Sequence, residues 1–311
     1  MPVQISVNCF LSDDPSRSLV DDYVSELAKL RDEGFRRAWV AQMPWQADVL
    51  TVLAVAFREV DTIEVATGVL PIQNQQPMLM AQRAVTLSLI SGGRFILGLG
   101  MTHRMVTEGM WGIPWDKPVR RLGEYLDGLL PLLEGKDANA TGETVTTRGA
   151  VRVPGAPAPP PVYIAALGPQ LLRLTGRRCA GTETWMTGPK TLAEHVGPTL
   201  RGAAAEAGRP EGAVKVAASL PIAVTDDVDG LRAQAAEQFA LYGQLPSYRA
   251  MLDREGYRDP QDAAIIGDER VVTERLDELR AAGVDEFVAY AFDTSDEGRA
   301  RTRSLLRRYA S

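Results

Sequence analysis

Hydrophobic and polar positions follow two periods along the chain, one typical of amphipathic helices and one typical of buried strands. Leu27 and Leu30 lead through Gly34 into the apolar run of residues 35–40. Leucines three residues apart lie on one face of a helix, and a glycine after that helix supplies a left-handed cap. The pattern therefore predicts a helix, a glycine stop and a strand. The same order recurs at residues 171–186, through Gly181, and at residues 276–292, through Gly283.

Short apolar runs without alternation are typical of strands covered on both faces of a parallel sheet. Strands are predicted at residues 3–9, 36–41, 63–69, 94–100, 162–166, 182–187, 214–224 and 286–292. Helices are predicted at residues 48–60, 77–89, 120–133, 189–207, 230–241 and 268–282. This alternation predicts an α/β fold that most naturally closes into a (β/α)8 TIM barrel, with an open doubly wound sheet as the alternative. A single domain over residues 1–311 is expected.

Two segments interrupt the alternation. Residues 139–161 predict a small hairpin, with arms at 144–147 and 151–153 around a turn at 148–150, followed by a proline-rich run. We interpret this segment as an excursion within the barrel before the next strand, with a domain linker or a proline-motif ligand as the alternatives. Residues 242–262 form a long tyrosine-containing connection between the last two predicted strands, which indicates a lid.

Composition excludes several classes of partner. The net charge of −6 argues against a nucleic-acid surface, which needs clustered lysine and arginine. The two cysteines indicate neither a disulfide framework nor a cysteine metal site, and they favour a reducing cytoplasm. The chain shows no signal-peptide pattern and no apolar run long enough for a membrane span, so we expect a cytoplasmic protein. With two distant histidines, no metal site is expected.

The ends of the predicted strands, where a barrel carries its catalytic residues, are rich in glycine and amides and poor in carboxylates. A G-x-S-x-G elbow, paired glycosidase acids and a Walker loop are all absent from the sequence. Gly98 and Gly100 begin a dinucleotide fingerprint, but His103 stands at its third glycine position. The inventory therefore disfavours hydrolases and Rossmann-type dehydrogenases.

Two strand ends lead directly into helices with proline in the first turn, at Gly168-Pro169 and at Thr187-Gly188-Pro189-Lys190. Free backbone N–H groups and the helix dipole favour an anion at such positions, and Lys190 would add a positive charge. Ordinary helix initiation explains the same residues equally well.

Three motifs carry a resemblance to a known family. They are TGVLPIQNQQPMLMAQRAVTLSLISGGRFILGLG at residues 67–100, PVYIAALGPQLLRLTGRRCAGTETWMTGPKTL at 161–192 and GDERVVTERLDELRAAGVDEFVAYAF at 267–292. In these residues the chain resembles the bacterial-luciferase-like oxidoreductases, specifically the branch that uses the deazaflavin coenzyme F420. The resemblance covers nearly the whole chain and implies a luciferase-like barrel.

The resemblance also implies roles for individual residues. It places a non-prolyl cis peptide between Gly68 and Val69, behind the flavin ring, with Met101 and Thr102 beside that ring. It assigns the cofactor phosphate to Gly168, Pro169, Thr187, Gly188 and Lys190. Gln42 and Trp45, after the second strand, are further cofactor candidates, although Trp45 fits a core position equally well.

The chain departs from the sugar-phosphate dehydrogenases of this family. Those members carry an acidic residue and a histidine after the second strand and a glutamate after the fourth, where this chain has residues 41–45 and Met101-Thr102-His103. His103 is therefore the candidate catalytic acid or base, with a structural hydrogen-bonding role as the alternative. His195 is expected to be exposed.

These observations predict hydride exchange between F420 and a small organic substrate bound beneath residues 242–262. The first alternative is a monooxygenase that uses reduced FMN, supplied by a separate reductase. The second is a non-catalytic flavin-binding protein. A homodimer formed through helices is a further expectation.

Overall fold

The computed structural model describes residues 3–9, 16 and 18–310. The described residues group into two compact units. The first unit comprises the described residues of 9–32 and 36–165, and the second comprises the described residues of 1–8, 33–35 and 166–311. The single domain expected over residues 1–311 stays a prediction.

The elements follow one another in an alternation of strands and helices. They begin with β1 (Gln4–Asn8), α1 (Leu19–Asp32), β2 (Arg37–Val40), α2 (Val49–Glu59), β3 (Glu64–Thr67), β4 (Leu70–Pro71), α3 (Pro77–Ser91), β5 (Phe95–Gly100), α4 (Arg104–Gly109), α5 (Pro118–Leu133), β6 (Ala138–Thr141), β7 (Thr146–Gly149) and β8 (Val162–Ala165). They continue with α6 (Pro169–Arg178), β9 (Gly181–Trp185), α7 (Pro189–Thr191), a π-helical turn (Leu192–Val196), α8 (Gly197–Glu206), β10 (Lys215–Val224), α9 (Val228–Gln238), a 3₁₀ turn (Ala240–Gln244), α10 (Pro246–Glu255), a 3₁₀ turn (Pro260–Ala263), β11 (Ile265–Gly267), α11 (Glu269–Ala281), β12 (Glu286–Ala291) and α12 (Asp296–Ala310).

The eight predicted strands are divided between the two units, and within each unit they form parallel pairs only. In the first unit the order is β2-β3-β5-β8, and the short β4 pairs with β5. In the second unit the order is β9-β10-β12-β1, and β11 pairs with β10. Each unit thus contributes four strands that alternate with helices. The predicted (β/α)8 barrel is confirmed.

Glycines end helices where the sequence pattern predicts them, with one exception. Gly34 and Gly283 have φ values of 91° and 79°, the left-handed conformation of a helix cap. Gly181 was expected to play the same role, and this is wrong. Helix α6 already ends at Arg178 and is capped by Cys179, so Gly181 begins β9 instead.

The close pairing of β3 with β5 explains the glycines at the end of β5. A Cβ on Gly98 would lie 1.7 Å from the Thr67 carbonyl oxygen, and one on Gly100 would lie 2.6 Å from Val69 Cγ2. The Thr67 hydroxyl also accepts from the Gly98 N–H and donates to the Gly98 carbonyl. These glycines therefore serve close strand packing, not a dinucleotide loop.

The hairpin between α5 and β8 exists, but its predicted arms are wrong. It pairs β6 with β7 in antiparallel register, so the turn lies at residues 142–145 and not at 148–150. The Glu124 carboxylate of α5 accepts from the N–H groups of Glu143, Thr144 and Val145. This tertiary contact fixes the turn. In the described part of the chain no helix is long and apolar enough to cross a membrane.

Candidate functional site

The first unit presents an accessible length of backbone after β3. The peptide bond between Gly68 and Val69 is cis, as the family resemblance implies, and both residues are half-buried. A Cβ on Gly68 would lie 3.0 Å from Cε3 of the buried Trp39 ring. The Trp39 indole therefore packs against this segment from one side, and the segment itself stays partly exposed.

The residues that follow β5 form a second part of this first-unit site. Met101, Thr102 and His103 are half-buried, and the Thr102 N–H donates to Oε1 of the buried Gln73 at 3.3 Å. Sequence reasoning missed Gln73, although its amide lies directly after the strand-3 motif. The Gln73 side chain holds the backbone after β5 at the site.

His103 lies where the backbone begins α4, and its imidazole has a shifted pKa. Its carbonyl accepts from the N–H groups of Val106 and Thr107, so its backbone begins α4. Burial lowers the pKa of its imidazole below the usual value. The ring is therefore neutral at pH 7 and can accept a proton or a hydrogen bond there.

Gln42 and Trp45, predicted as cofactor residues, have different surroundings. Gln42 Oε1 accepts from the Val49 N–H, and Nε2 donates to the Met43 carbonyl, so the side chain braces the loop before α2. Trp45 is 64% exposed, so a core position for this residue is wrong. Contact of either side chain with a cofactor stays a prediction.

In the second unit, the two helix starts predicted to bind phosphate differ in accessibility. Gly168 and Pro169, at the start of α6, are exposed, and no atom lies within 4 Å of a Cβ built on Gly168. The N–H groups of the first turn of α6 are therefore open to an anion. Thr187 is buried, and its hydroxyl donates to the Trp185 carbonyl.

At the start of α7, a carboxylate of the chain itself occupies the position where an external anion would bind. The Glu255 carboxylate of α10 accepts from the Lys190 N–H at 3.0 Å and from the Thr191 N–H at 2.7 Å. A Cβ on Gly188 would lie 2.4 Å from Glu255 Cδ. The start of α6 is therefore exposed, whereas the backbone at Gly188 and Lys190 lies against an internal carboxylate; phosphate binding at either helix start stays a prediction.

His195 was expected to be exposed, and this is wrong. The side chain is half-buried, and Nε2 lies 2.8 Å from the Leu167 carbonyl oxygen. Because Leu167 directly precedes Gly168, His195 fixes the backbone that leads into α6. A hydrogen bond across 28 residues is not encoded in the local pattern of a helix.

The inward face of β9 carries a carboxyl group that sequence reasoning also missed. Burial and the nearby Glu286 carboxylate raise the pKa of Glu183 to about 7. Its side chain is nevertheless half-buried and not sealed from solvent. Glu286 itself accepts a 2.6 Å hydrogen bond from the Ser6 hydroxyl. Over the described ranges, no group of three or more His, Cys, Asp or Glu side chains is placed to hold a metal ion.

The parallel barrel, with the half-buried Gly68-Val69 segment after β3 and the half-buried residues after β5, defines a (β/α)8 protein whose strand ends carry the candidate site. The family model described as luciferase-like monooxygenase matches residues 11–286. The chain therefore belongs to the luciferase-like family, which confirms the resemblance found in the sequence.

Individual relatives agree with this membership. The 5,10-methylenetetrahydromethanopterin reductase of Archaeoglobus fulgidus is 28% identical over 86% of this chain and 88% of its own length. A putative coenzyme F420-dependent oxidoreductase of Mycobacterium tuberculosis is 26% identical over 85% of this chain and 89% of its own. The solved structure of the coenzyme F420-dependent tetrahydromethanopterin reductase from Methanopyrus kandleri has a TM-score of 0.82 at 22% identity, covering 99% of this chain and 98% of that one. The relatives support an oxidoreductase.

Proposed function

We propose that the protein is an F420-dependent oxidoreductase that exchanges a hydride between the deazaflavin and a small organic substrate. The observation that carries this proposal is the half-buried Gly68-Val69 segment, backed by Trp39 and followed along the sheet by Met101 and Thr102. Relatives described as F420-dependent, at 26% identity in one case, support the same cofactor.

The residues of each unit have separate tasks in this proposal. In the first unit, Gly68, Val69, Met101 and Thr102 would contact the cofactor ring, which supplies the hydride chemistry when bound. The neutral His103 imidazole would accept or return a proton at a ring nitrogen. In the second unit, the exposed N–H groups at the start of α6 would bind a phosphate group.

A second candidate function is oxygenation with reduced FMN. The description of the matching family model, luciferase-like monooxygenase, favours it. The two cofactors share a phosphate and a three-ring system, so the same residues would bind either. A cofactor titration separates the two functions.

The test is fluorescence titration of the protein with F420 and with FMN. We expect saturable F420 binding at least about tenfold tighter than FMN binding. Tight binding of FMN with no binding of F420 would overturn the proposal in favour of the second candidate. Saturable F420 binding without turnover across a broad panel of carbonyl and alcohol substrates would identify a non-catalytic binding protein.

A matched pair of variants tests the phosphate position. Gly168→Asp places a carboxylate at the start of α6, in open space, and aspartate is a favourable N-cap. We expect the fold to be kept and F420 binding to weaken by about tenfold or more through charge repulsion. Gly202→Asp, on the exposed side of α8 with no atom within 4 Å of its Cβ, is the control and should bind like the unchanged protein.

A further inference from the structure

Glu183 and Trp185 lie on one face of β9, because residues two apart in a strand point to the same side. Over residues 3–9, 16 and 18–310, no donor forms a hydrogen bond or ion pair with the Glu183 carboxylate. The side chain is half-buried, so its oxygens are surrounded by protein and still reachable from solvent. A carboxylate in that position lacks the partner that buried charges normally require.

A second carboxyl group, that of Glu286, acts on Glu183. In the strand register, Glu183 of β9 and Glu286 of β12 both stand opposite Ala217 of β10, so the two carboxyl groups lie in one layer. Glu183 also lies close enough to the phenols of Tyr242 and Tyr248 to raise their pKa values. Two like charges in a low dielectric repel each other, and a bound cation would relieve that repulsion.

Half-buried aromatic rings cluster beside Glu183. Trp185 packs edge-to-face against Tyr290 at 5.3 Å and against Tyr242 at 5.8 Å, and Tyr242 packs against Tyr248 at 5.0 Å between ring centroids. All four rings are half-buried, whereas Phe239 behind them is 2% exposed. We call Glu183, Trp185, Tyr242, Tyr248 and Tyr290 together the aromatic recess, since four rings and one carboxyl group lie there side by side and all are half-buried.

Aromatic faces and a carboxylate are the groups that recognise organic cations. We propose that this recess binds an organic cation, an ammonium or related N–H-bearing nitrogen, whose charge Glu183 pairs. As a statement about the substrate, this inference rests on the proposed function, and it narrows the substrate class to molecules that carry such a nitrogen.

Cation binding to this recess is linked to the ionisation of Glu183. The ionised carboxylate binds the cation more tightly than the neutral acid does, so affinity should rise between pH 6 and pH 8. That interval spans the pKa of about 7 that burial and Glu286 give to Glu183. Since Tyr242 and Tyr248 have raised pKa values, caused mainly by burial, they stay neutral over the same interval.

Isothermal titration with two probes tests the proposal without any cofactor. Benzylamine carries the cation, and benzyl alcohol is its neutral counterpart of similar shape. We expect benzylamine to bind at least about tenfold tighter than benzyl alcohol at pH 8, with the difference shrinking at pH 6. Equal affinities for the two probes at both pH values would overturn the inference.

Glu183→Gln keeps the shape of the side chain and removes the charge, so benzylamine binding should fall to the level of benzyl alcohol. Glu194→Gln, at an exposed position of the π-helical turn, is the matched control and should change nothing. If Glu183→Gln keeps full benzylamine affinity, the inference is wrong. If that variant fails to fold, the pH dependence of the unchanged protein decides. Because F420 is absent from the assay, its outcome is independent of the cofactor titration.

Discussion

At the scale of single residues, Gly98 shows how a backbone contact dictates a side chain. A methyl group there would lie 1.7 Å from the Thr67 carbonyl oxygen, a main-chain atom that cannot move without parting β3 from β5. We expect Gly98→Ala to lower the free energy of unfolding by about 3 kcal/mol or more, as severe overpacking does. Chemical denaturation measures this change.

Gly202→Ala is the control for this experiment. The position is exposed within α8 and has no atom within 4 Å of its Cβ. Removing a helical glycine there should leave stability equal or up to about 1 kcal/mol higher. Equal stabilities of the two variants would contradict the packing explanation of Gly98.

Glu183 makes stability depend on pH through its raised pKa of about 7, caused first by burial and then by Glu286. Its ordinary value is 4.5, so between these values the folded protein holds a proton that the unfolded chain has released. The stability that the folded protein gains by keeping Glu183 protonated is complete below about pH 4.5, and it is lost as the pH rises through 7. It amounts to at most about 3 kcal/mol.

Glu183→Gln should remove this component of the pH dependence. Denaturation midpoints of the variant and of the unchanged protein, measured from pH 5 to pH 8, check the expectation. A parallel decline in both proteins would show that other groups cause the pH dependence.

Which residues could be predicted from the sequence depends on the distance over which each acts. Gly68 and Val69 lie inside a continuous motif, and their cis peptide bond was predicted. His195 and Glu183 act on partners 28 and more residues away, Leu167 and Glu286. Only the folded chain brings such pairs together, so a single sequence contains no local signal for them.

At the scale of elements, α10 and α7 are joined by the Glu255 carboxylate and by a hydrogen bond from the Thr191 hydroxyl to the Met251 carbonyl. Glu255 accepts the N–H groups of Lys190 and Thr191, at distances of 3.0 and 2.7 Å. Glu255→Gln keeps one amide oxygen as an acceptor but loses the charge, and charge-assisted hydrogen bonds are roughly twice as strong as neutral ones. We expect hydrogen exchange at these two N–H groups to accelerate by about tenfold or more.

The control is Asp253→Asn in the same helix. Asp253 is exposed and pairs with Arg249 of its own helix, so its loss should not affect α7. If both substitutions accelerate exchange at Lys190 and Thr191 equally, general fraying of α10 and not the Glu255 contact would be the cause.

The hairpin shows why element boundaries are harder to predict than element types. Threonine and valine positions indicated hairpin arms at residues 144–147 and 151–153, but the strands lie at Ala138–Thr141 and Thr146–Gly149. The turn was misplaced, because the Glu124 carboxylate binds three successive N–H groups at residues 143–145. Glu124 belongs to α5, about 20 residues earlier in the chain, so strand propensity alone could not locate the turn.

At the scale of the whole molecule, the repeated helix and strand pattern was sufficient for the fold. All eight barrel strands lie within or next to their predicted ranges, because strands buried on both faces leave continuous apolar runs. The short β4 and β11 were not predicted, since two and three residues are too few for a periodic signal. The family motifs supplied the cofactor residues, which apolar periodicity could not distinguish from ordinary strand ends.

Cofactor binding should raise the thermal stability of the whole protein. A ligand that binds only the folded chain stabilises it by about 2.7 kcal/mol at a concentration one hundred times its Kd. F420 should therefore raise the melting temperature by several degrees, and FMN at the same concentration should raise it less.

The deazaflavin chromophore without its phosphate tail is the control for the start of α6. If the open N–H groups there bind phosphate, the chromophore should stabilise Gly168→Asp and the unchanged protein equally, whereas F420 should stabilise the variant less. Equal shifts with F420 in both proteins would assign the binding energy to the ring contacts of the first unit alone.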